Sequence, residues 1–435
     1  MGPTTFRGWV MTAGMAVVSA ALAGSCAGPD PDALARDFVG MLAAGRYDEA
    51  VGRCTTAVQA AMGADQLAGL WEGFEKAGPY GGTGTIRPLS VPEYEIRLVP
   101  CRFGERVVDL KLVVDVSGLV AGLFVLPGED SAYADAVIDV DLALESSGFT
   151  LPGTLALPRG PGPFPAVVLV HGSGPHDRDE SLGPNAPFRD LAALLAARGV
   201  ASYRYVKRTM AYGERAFAGG PTIGEETVDD AVAAVALVSG RPEIDPCRVF
   251  ILGHSLGAMM LPMIVSGTEA AGCVGLAAPS SALHELVPRQ MEYLAGLDGE
   301  VTEEESAAVA AARAAADLVA SGAVTADTPA SSLPLGLPAS YWLSLDGYDP
   351  TTAAAALSEP FLLLQGGRDY QVPPMELEPW LAALGARAES RVYPELNHLF
   401  MRGDGPPDPA EYLVPGRVDE RVADDIAAWI AGATR

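Results

Sequence analysis

Lysine is almost missing from this chain: Lys76, Lys111 and Lys207 are the only three in 435 residues. Lys and Arg together number 29 against 55 Asp and Glu, a formal charge of −26. Clustered cations that would displace counterions from nucleic acid are therefore lacking, as is a polybasic patch for an anionic membrane surface. Cysteine and histidine are sparse too, five of each, and none falls into a zinc-ligand spacing. No glycine-rich stretch carries a nucleotide-binding fingerprint. Neither metal nor cofactor is expected. Beyond the N-terminus no apolar run approaches the ~18 residues that cross a bilayer. The large net charge does not mean disorder, because hydrophobic residues make up 49% and mean hydropathy is +0.21. That composition supports a buried core, and the length suits roughly two or three domains.

The N-terminus reads as a leader. Arg7 precedes a mostly apolar stretch from Trp9 to Ala23, then Gly24 and Ser25, the layout of a signal peptide over residues 1–25. Leu22-Ala23-Gly24-Ser25-Cys26 resembles a bacterial lipobox, with the aliphatic residue one place further upstream than usual. The resemblance implies lipidation of Cys26 and an extracytoplasmic, envelope-bound protein held to the membrane by lipid; with an incidental Cys26 the protein is simply secreted. Four cysteines remain, at 54, 101, 247 and 273. Outside the cytoplasm they could pair, and local grouping favours Cys54–Cys101 and Cys247–Cys273 over free thiols.

A small α+β domain is expected over 30–126. Asp32 can cap a helix to about Ala44, with Leu34, Phe38, Met41 and Leu42 on one face. Further helices are expected over 47–62 and 65–76. The period then changes to two: Val108, Leu110, Leu112, Val114 and Val116 alternate with polar residues as a half-buried strand. Residues 119–126 and 94–99 supply two more strands. The helix pair around Gly45-Arg46-Tyr47-Asp48, Trp71 before Gly78, and the valine-rich strand followed by Gly122 resemble a cystatin-like domain of unknown function related to nuclear transport factors. It holds no His, so an accessory role is expected. Residues 127–136 read as a linker.

From 137 to 435 strands alternate with helices, the pattern of an α/β domain with a mostly parallel sheet. Residues 137–144 and 151–157 read as a hairpin. Core strands are expected near 166–170, 200–204, 248–252, 274–277, 361–364 and 390–393, with a closing helix over 418–430. At one strand end stands Gly253-His254-Ser255-Leu256-Gly257. The preceding strand and following helix make this G-x-S-x-G a nucleophile elbow, which exposes Ser255 Oγ above the sheet. A serine hydroxyl needs a base, and the elbow order places an acid and then a His downstream. His398 follows the last strand. Asp369, in Gly366-Gly367-Arg368-Asp369, follows the strand before it and can orient the imidazole. The backbone N–H of Leu256, and that of Ser173 in His171-Gly172-Ser173-Gly174-Pro175, are the expected oxyanion donors. Asp177, Arg178 and Asp179 are read as loop braces, and His176 and His254 as supports. An insertion over 280–345, with a Thr302–Glu305 capping box, reads as a helical cap.

These segments resemble the α/β-hydrolase superfamily, in particular dienelactone-hydrolase-like bacterial esterases. The match includes Arg204-Tyr205-Val206-Lys207-Arg208, Asn397-His398-Leu399-Phe400 and Pro409-Ala410-Glu411-Tyr412. The resemblance implies an α/β-hydrolase fold, a Ser255–His398–Asp369 triad and small-molecule carboxylic esters as substrates. Dienelactone hydrolases proper use a Cys nucleophile where this chain has Ser255, so their substrate does not carry over. Two other readings are a prolyl-oligopeptidase-like peptidase, whose propeller has no counterpart here, and an inactive binding lipoprotein. No protein partner is legible.

Overall fold

The computed structural model describes residues 30–91, 94–129, 135–217 and 220–433. The expected leader and Cys26 lie outside them. The chain divides into two units.

The first unit begins with four helices, Pro31–Ala43, Tyr47–Gly52, Thr56–Ala61 and Ala64–Glu75. Asp30 rather than Asp32 caps the first, accepting the Asp32 N–H at 3.0 Å. The single helix expected over 47–62 is broken at residues 53–55. There Val120 N–H donates to Arg53 O and Thr55 N–H to Val120 O, both at 2.9 Å, so the backbone groups that would continue the helix are spent on a strand. Thr55 then caps the next helix. An antiparallel sheet follows: β1 Tyr80–Thr83, β2 Arg87–Val91, β3 Tyr94–Phe103, β4 Arg106–Val114 and β5 Val120–Pro127, in the order β1-β3-β4-β5 with β2 also on β3. β4 stops at Val114 because Asp115 Oδ1 takes the N–H groups of Ser117 and Leu119. Val116, expected inside, is 73% exposed for that reason. Phe38, Trp71, Phe74 and Phe103 fill the core, the Trp71 and Phe103 rings 5.1 Å apart.

Two short stretches, 181–186 and 409–416, are counted with this unit. Buried Asn185 staples them together. Its Nδ2 donates to Tyr412 O at 2.8 Å and Val414 O at 3.1 Å, and its Oδ1 accepts Gly416 N–H at 2.7 Å. Arg106 donates to Gly416 O.

The second unit contains β6 Val137–Asp141, β7 Leu144–Ser146, β8 Phe149–Leu151, β9 Gly153–Pro158, β10 Phe164–Val170, β11 Ala201–Tyr205, β12 Ile244–His254, β13 Cys273–Leu276, β14 Phe361–Gly366 and β15 Ala388–Tyr393. Eight of them form one sheet in the order β15-β14-β13-β12-β10-β11-β9-β6. β10 to β15 run parallel, while β9 is antiparallel to both neighbours. The expected hairpin is split: β6 pairs with β9 in the main sheet, and β7 and β8 make a separate two-stranded ribbon. β13 and β14 are buried at every position, which accounts for runs with no alternation. The closing helix spans Glu420–Gly432.

All four described cysteines keep free thiols, so the expected pairs do not form. Cys273 lies opposite Ile251 on β12, and Cys247 is four residues earlier, roughly 13 Å along the strand. A disulfide needs Cα atoms within about 7 Å. Cys54 bridges Val120, in the row of Val114 and Glu95; Cys101 sits six residues further along β3, about 20 Å away.

The 280–345 insertion forms helices Leu283–Ala295, Glu303–Ala320 and Ala339–Ser344. Thr302 and Glu305 make the expected capping box. Gln290 donates to Gln371 O at 3.0 Å, and the Tyr293 and Tyr370 rings stack 5.0 Å apart. The insertion thus rests on the loop that carries Asp369.

Candidate active site

Ser255 leaves β12 with φ 54° and ψ −117°, a region that side chains rarely occupy and that persists only where the surroundings enforce it. The enforcing contacts are backbone. A Cβ on Gly253 would sit 2.4 Å from Gly257 C, and one on Gly257 would sit 2.3 Å from Val170 O. Ser255 N–H donates to Leu276 O at 2.9 Å. The chain turns straight into the helix Leu256–Met259, leaving Ser255 partly exposed between buried neighbours.

Asp369 follows β14. Gly366 and Gly367 allow the two loops to approach: a Cβ on either would meet Asn397 O or Pro394 Cα at 2.6 Å. Asp369 is buried; its Oδ1 accepts Gln371 and Val372 N–H, each at 2.9 Å. Its Oδ2 lies 2.7 Å from His398 Nδ1. Since a carboxylate only accepts, Nδ1 carries the hydrogen and Nε2 of the neutral ring keeps its lone pair. Asn397 Oδ1 holds the His398 turn by accepting Leu399 and Met401 N–H. The His254 and His398 ring centroids are 4.6 Å apart, which sets the base beside the elbow. Ser255 Oγ makes no hydrogen bond among the described residues, as is common before substrate closes a site.

The loop after β10 is gripped from both sides. Gly172 N–H donates to Glu180 Oε1 at 2.6 Å, and Gly174 N–H to Glu226 Oε1 at 3.1 Å. Lys207 Nζ donates to Gly172 O and to Glu226 Oε1, both at 2.7 Å. Tyr341, from the insertion, also hydrogen-bonds Glu226. The peptide groups on either side of Ser173 are therefore occupied, while the Ser173 and Leu256 N–H groups have no partner among the described residues. A Cβ on Gly172 would lie 3.3 Å from Ser255 Cβ, so the loop abuts the elbow.

Burial would raise the Glu180 carboxyl, but the charge of His254, with His176 and His171, holds it down to about 2. Burial likewise opposes ionisation of Glu226, and Lys207 outweighs it, keeping the carboxyl below the usual 4.5. His171, fully enclosed, is pushed down to about 3 by burial and stays neutral. Arg178 donates to Thr154 Oγ1 at 2.7 Å and Asp179 lies 3.0 Å from Arg204, so both brace the loop as expected. His176 Nε2 lies 2.8 Å from Ser173 O. His284 stands apart, against Trp342 of the insertion. Sequence reasoning missed Glu180, Glu226 and Glu376; the last is buried and takes the N–H and Oγ of Ser280 and of Ser281, where the insertion begins. The one available signal was Lys207, a rare lysine just after β11.

Residues 167–413 match the alpha/beta hydrolase family. Esterase EstD of Thermotoga maritima is 34% identical over 400 residues, covering 90% of this chain and 93% of that protein. Among solved structures, a dienelactone hydrolase from Anabaena variabilis is 16% identical over 69% of this chain and 100% of its own, with a TM-score of 0.41. An esterase from Pyrococcus furiosus is 17% identical over 71% of this chain and 96% of its own, with a TM-score of 0.45. On its matched segment, and on its identity to a relative across nine-tenths of its length, the chain belongs to the alpha/beta hydrolase family.

Proposed function

We propose that this protein is a serine esterase that hydrolyses small carboxylic esters through Ser255, His398 and Asp369. The observation that carries the reading is the 2.7 Å contact of His398 Nδ1 with Asp369, beside a serine held at positive φ. His398 Nε2 takes the Ser255 proton as Oγ attacks the ester carbonyl. The oxyanion meets the unoccupied N–H groups of Ser173 and Leu256, the latter at a helix start where the dipole adds to the effect. His398 returns the proton to the leaving alcohol. Water then enters, loses its proton to His398 and releases the acid, regenerating Ser255. The relative named an esterase supports ester rather than amide substrates. The leader pattern and Cys26 support an extracytoplasmic, lipid-anchored or secreted location.

The test uses p-nitrophenyl esters of graded chain length and a fluorophosphonate probe. Turnover and labelling are expected for the wild type and loss of both for Ser255→Ala. An unlabelled wild type without turnover refutes the triad. Cleavage of peptide amides in preference to esters points to a peptidase instead.

A further inference from the structure

Glu180 and His254 form a second acid–imidazole pair directly behind the first. Glu180 Oε1 accepts the Gly172 N–H at 2.6 Å, and its Oε2 lies 3.0 Å from His254 Nδ1. The far side of the same ring, Nε2, is 3.0 Å from the backbone oxygen of His398. Nε2 is thus hydrogen-bonded to a carbonyl, and Nδ1 approaches a buried carboxylate at ion-pair distance without hydrogen-bond alignment. A carboxylate that close favours the imidazolium, which keeps a proton on Nδ1 while donating from Nε2. The pair is dry: Glu180 and His254 are buried, and apolar Pro187, Phe188, Leu191, Leu276, Leu399 and Phe400 surround the rest of the space beside them.

We propose that His254 is an imidazolium, held by Glu180, that positions His398 and ties the catalytic base to the oxyanion loop. The inference rests on the esterase reading for its catalytic meaning, but its structural content does not. The charged and titratable groups around His254 are Glu180, Asp369, His176 and the His398 ring itself. Burial opposes the charge on His254, yet Glu180 outweighs it and keeps the proton on above the usual 6.5. A cation 4.6 Å from the base disfavours a second proton on His398. Glu180 anchors the arrangement at Gly172, so the base and the loop bearing Ser173 keep a fixed separation.

Full-length protein labelled with 15N in histidine tests this without relying on turnover. In the wild type one imidazole is expected to keep both ring protons at about pH 7.5, where an unperturbed ring is mostly neutral. His254→Asn should remove that signal and move the acid limb of kcat/KM on a p-nitrophenyl ester to higher pH by about one unit. The isosteric Glu180→Gln should discharge His254 and move that limb the same way. A His254 that is neutral at about pH 7.5, or an acid limb unmoved in both variants, overturns the proposal, because a merely structural pair would lower kcat and leave the limb in place. If the wild type hydrolyses no ester, the esterase reading fails while the nuclear magnetic resonance titrations still decide the charge.

Discussion

Ser255 and its two glycines bind function to backbone geometry. A methyl group on Gly257 would press on Val170 O, which belongs to a central strand and cannot swing away. Gly257→Ala is therefore expected to lower stability by about 3 kcal/mol or more, read by urea unfolding, and to abolish probe labelling of Ser255. Asp369→Asn tests a different role. An amide can present its NH2 to Nδ1 and force the wrong tautomer, so kcat should fall by about 10⁴ while stability changes little by comparison. Ser255, Asp369 and His398 were legible in the sequence because strand order dictates where an acid and a base must follow the elbow. Glu180 and Glu226 were not. Each sits among ordinary acidic residues, and only the structure folded over it decides that it is buried.

Among elements, the loop after β10 is held by charges rather than by packing. Among the described residues Lys207 is the single cation paired with Glu226, and it also fixes Gly172 O. Lys207→Met would leave Glu226 buried and uncompensated, at an expected cost of about 3–5 kcal/mol. Urea unfolding measures this, and kcat should drop as the Ser173 N–H loses its aim. The apolar strands were readable from their unbroken hydrophobic runs. The break at 53–55 was not, since its cause is Val120, which no local pattern near Cys54 announces. The split of the expected hairpin into β6/β9 and β7/β8 has a similar origin: alternation shows that strands exist but not which sheet takes them.

The whole molecule carries a charge of −26, yet its response to acid is governed by a few inward carboxylates. Glu180, Glu226 and Glu376 all hold their protons less tightly in the fold than the usual 4.5. Groups depressed in this way contribute stability that is complete above the unfolded value and lost as pH falls through the folded one. The urea midpoint should accordingly fall steeply from about pH 4.5 toward the Glu180 value of about 2. Glu180→Gln should flatten part of that slope. His254 works in the opposite sense, its share being lost as pH rises above 6.5 through its raised value. Relief of surface repulsion on acidification is screened by salt, so the fall should persist at high ionic strength.

The stapling of 181–186 to 409–416 by Asn185 has a bearing on how such a protein can be rearranged. A unit assembled from three separated stretches of chain is not a cassette that recombination or a truncated gene can lift out at one junction. Deleting residues up to 131 would take the helices and sheet but strand two loops whose companions had gone, Gly416 losing the Arg106 guanidinium with them. Inheritance of the N-terminal unit is therefore coupled to that of the hydrolase sequence in which its remaining pieces are written.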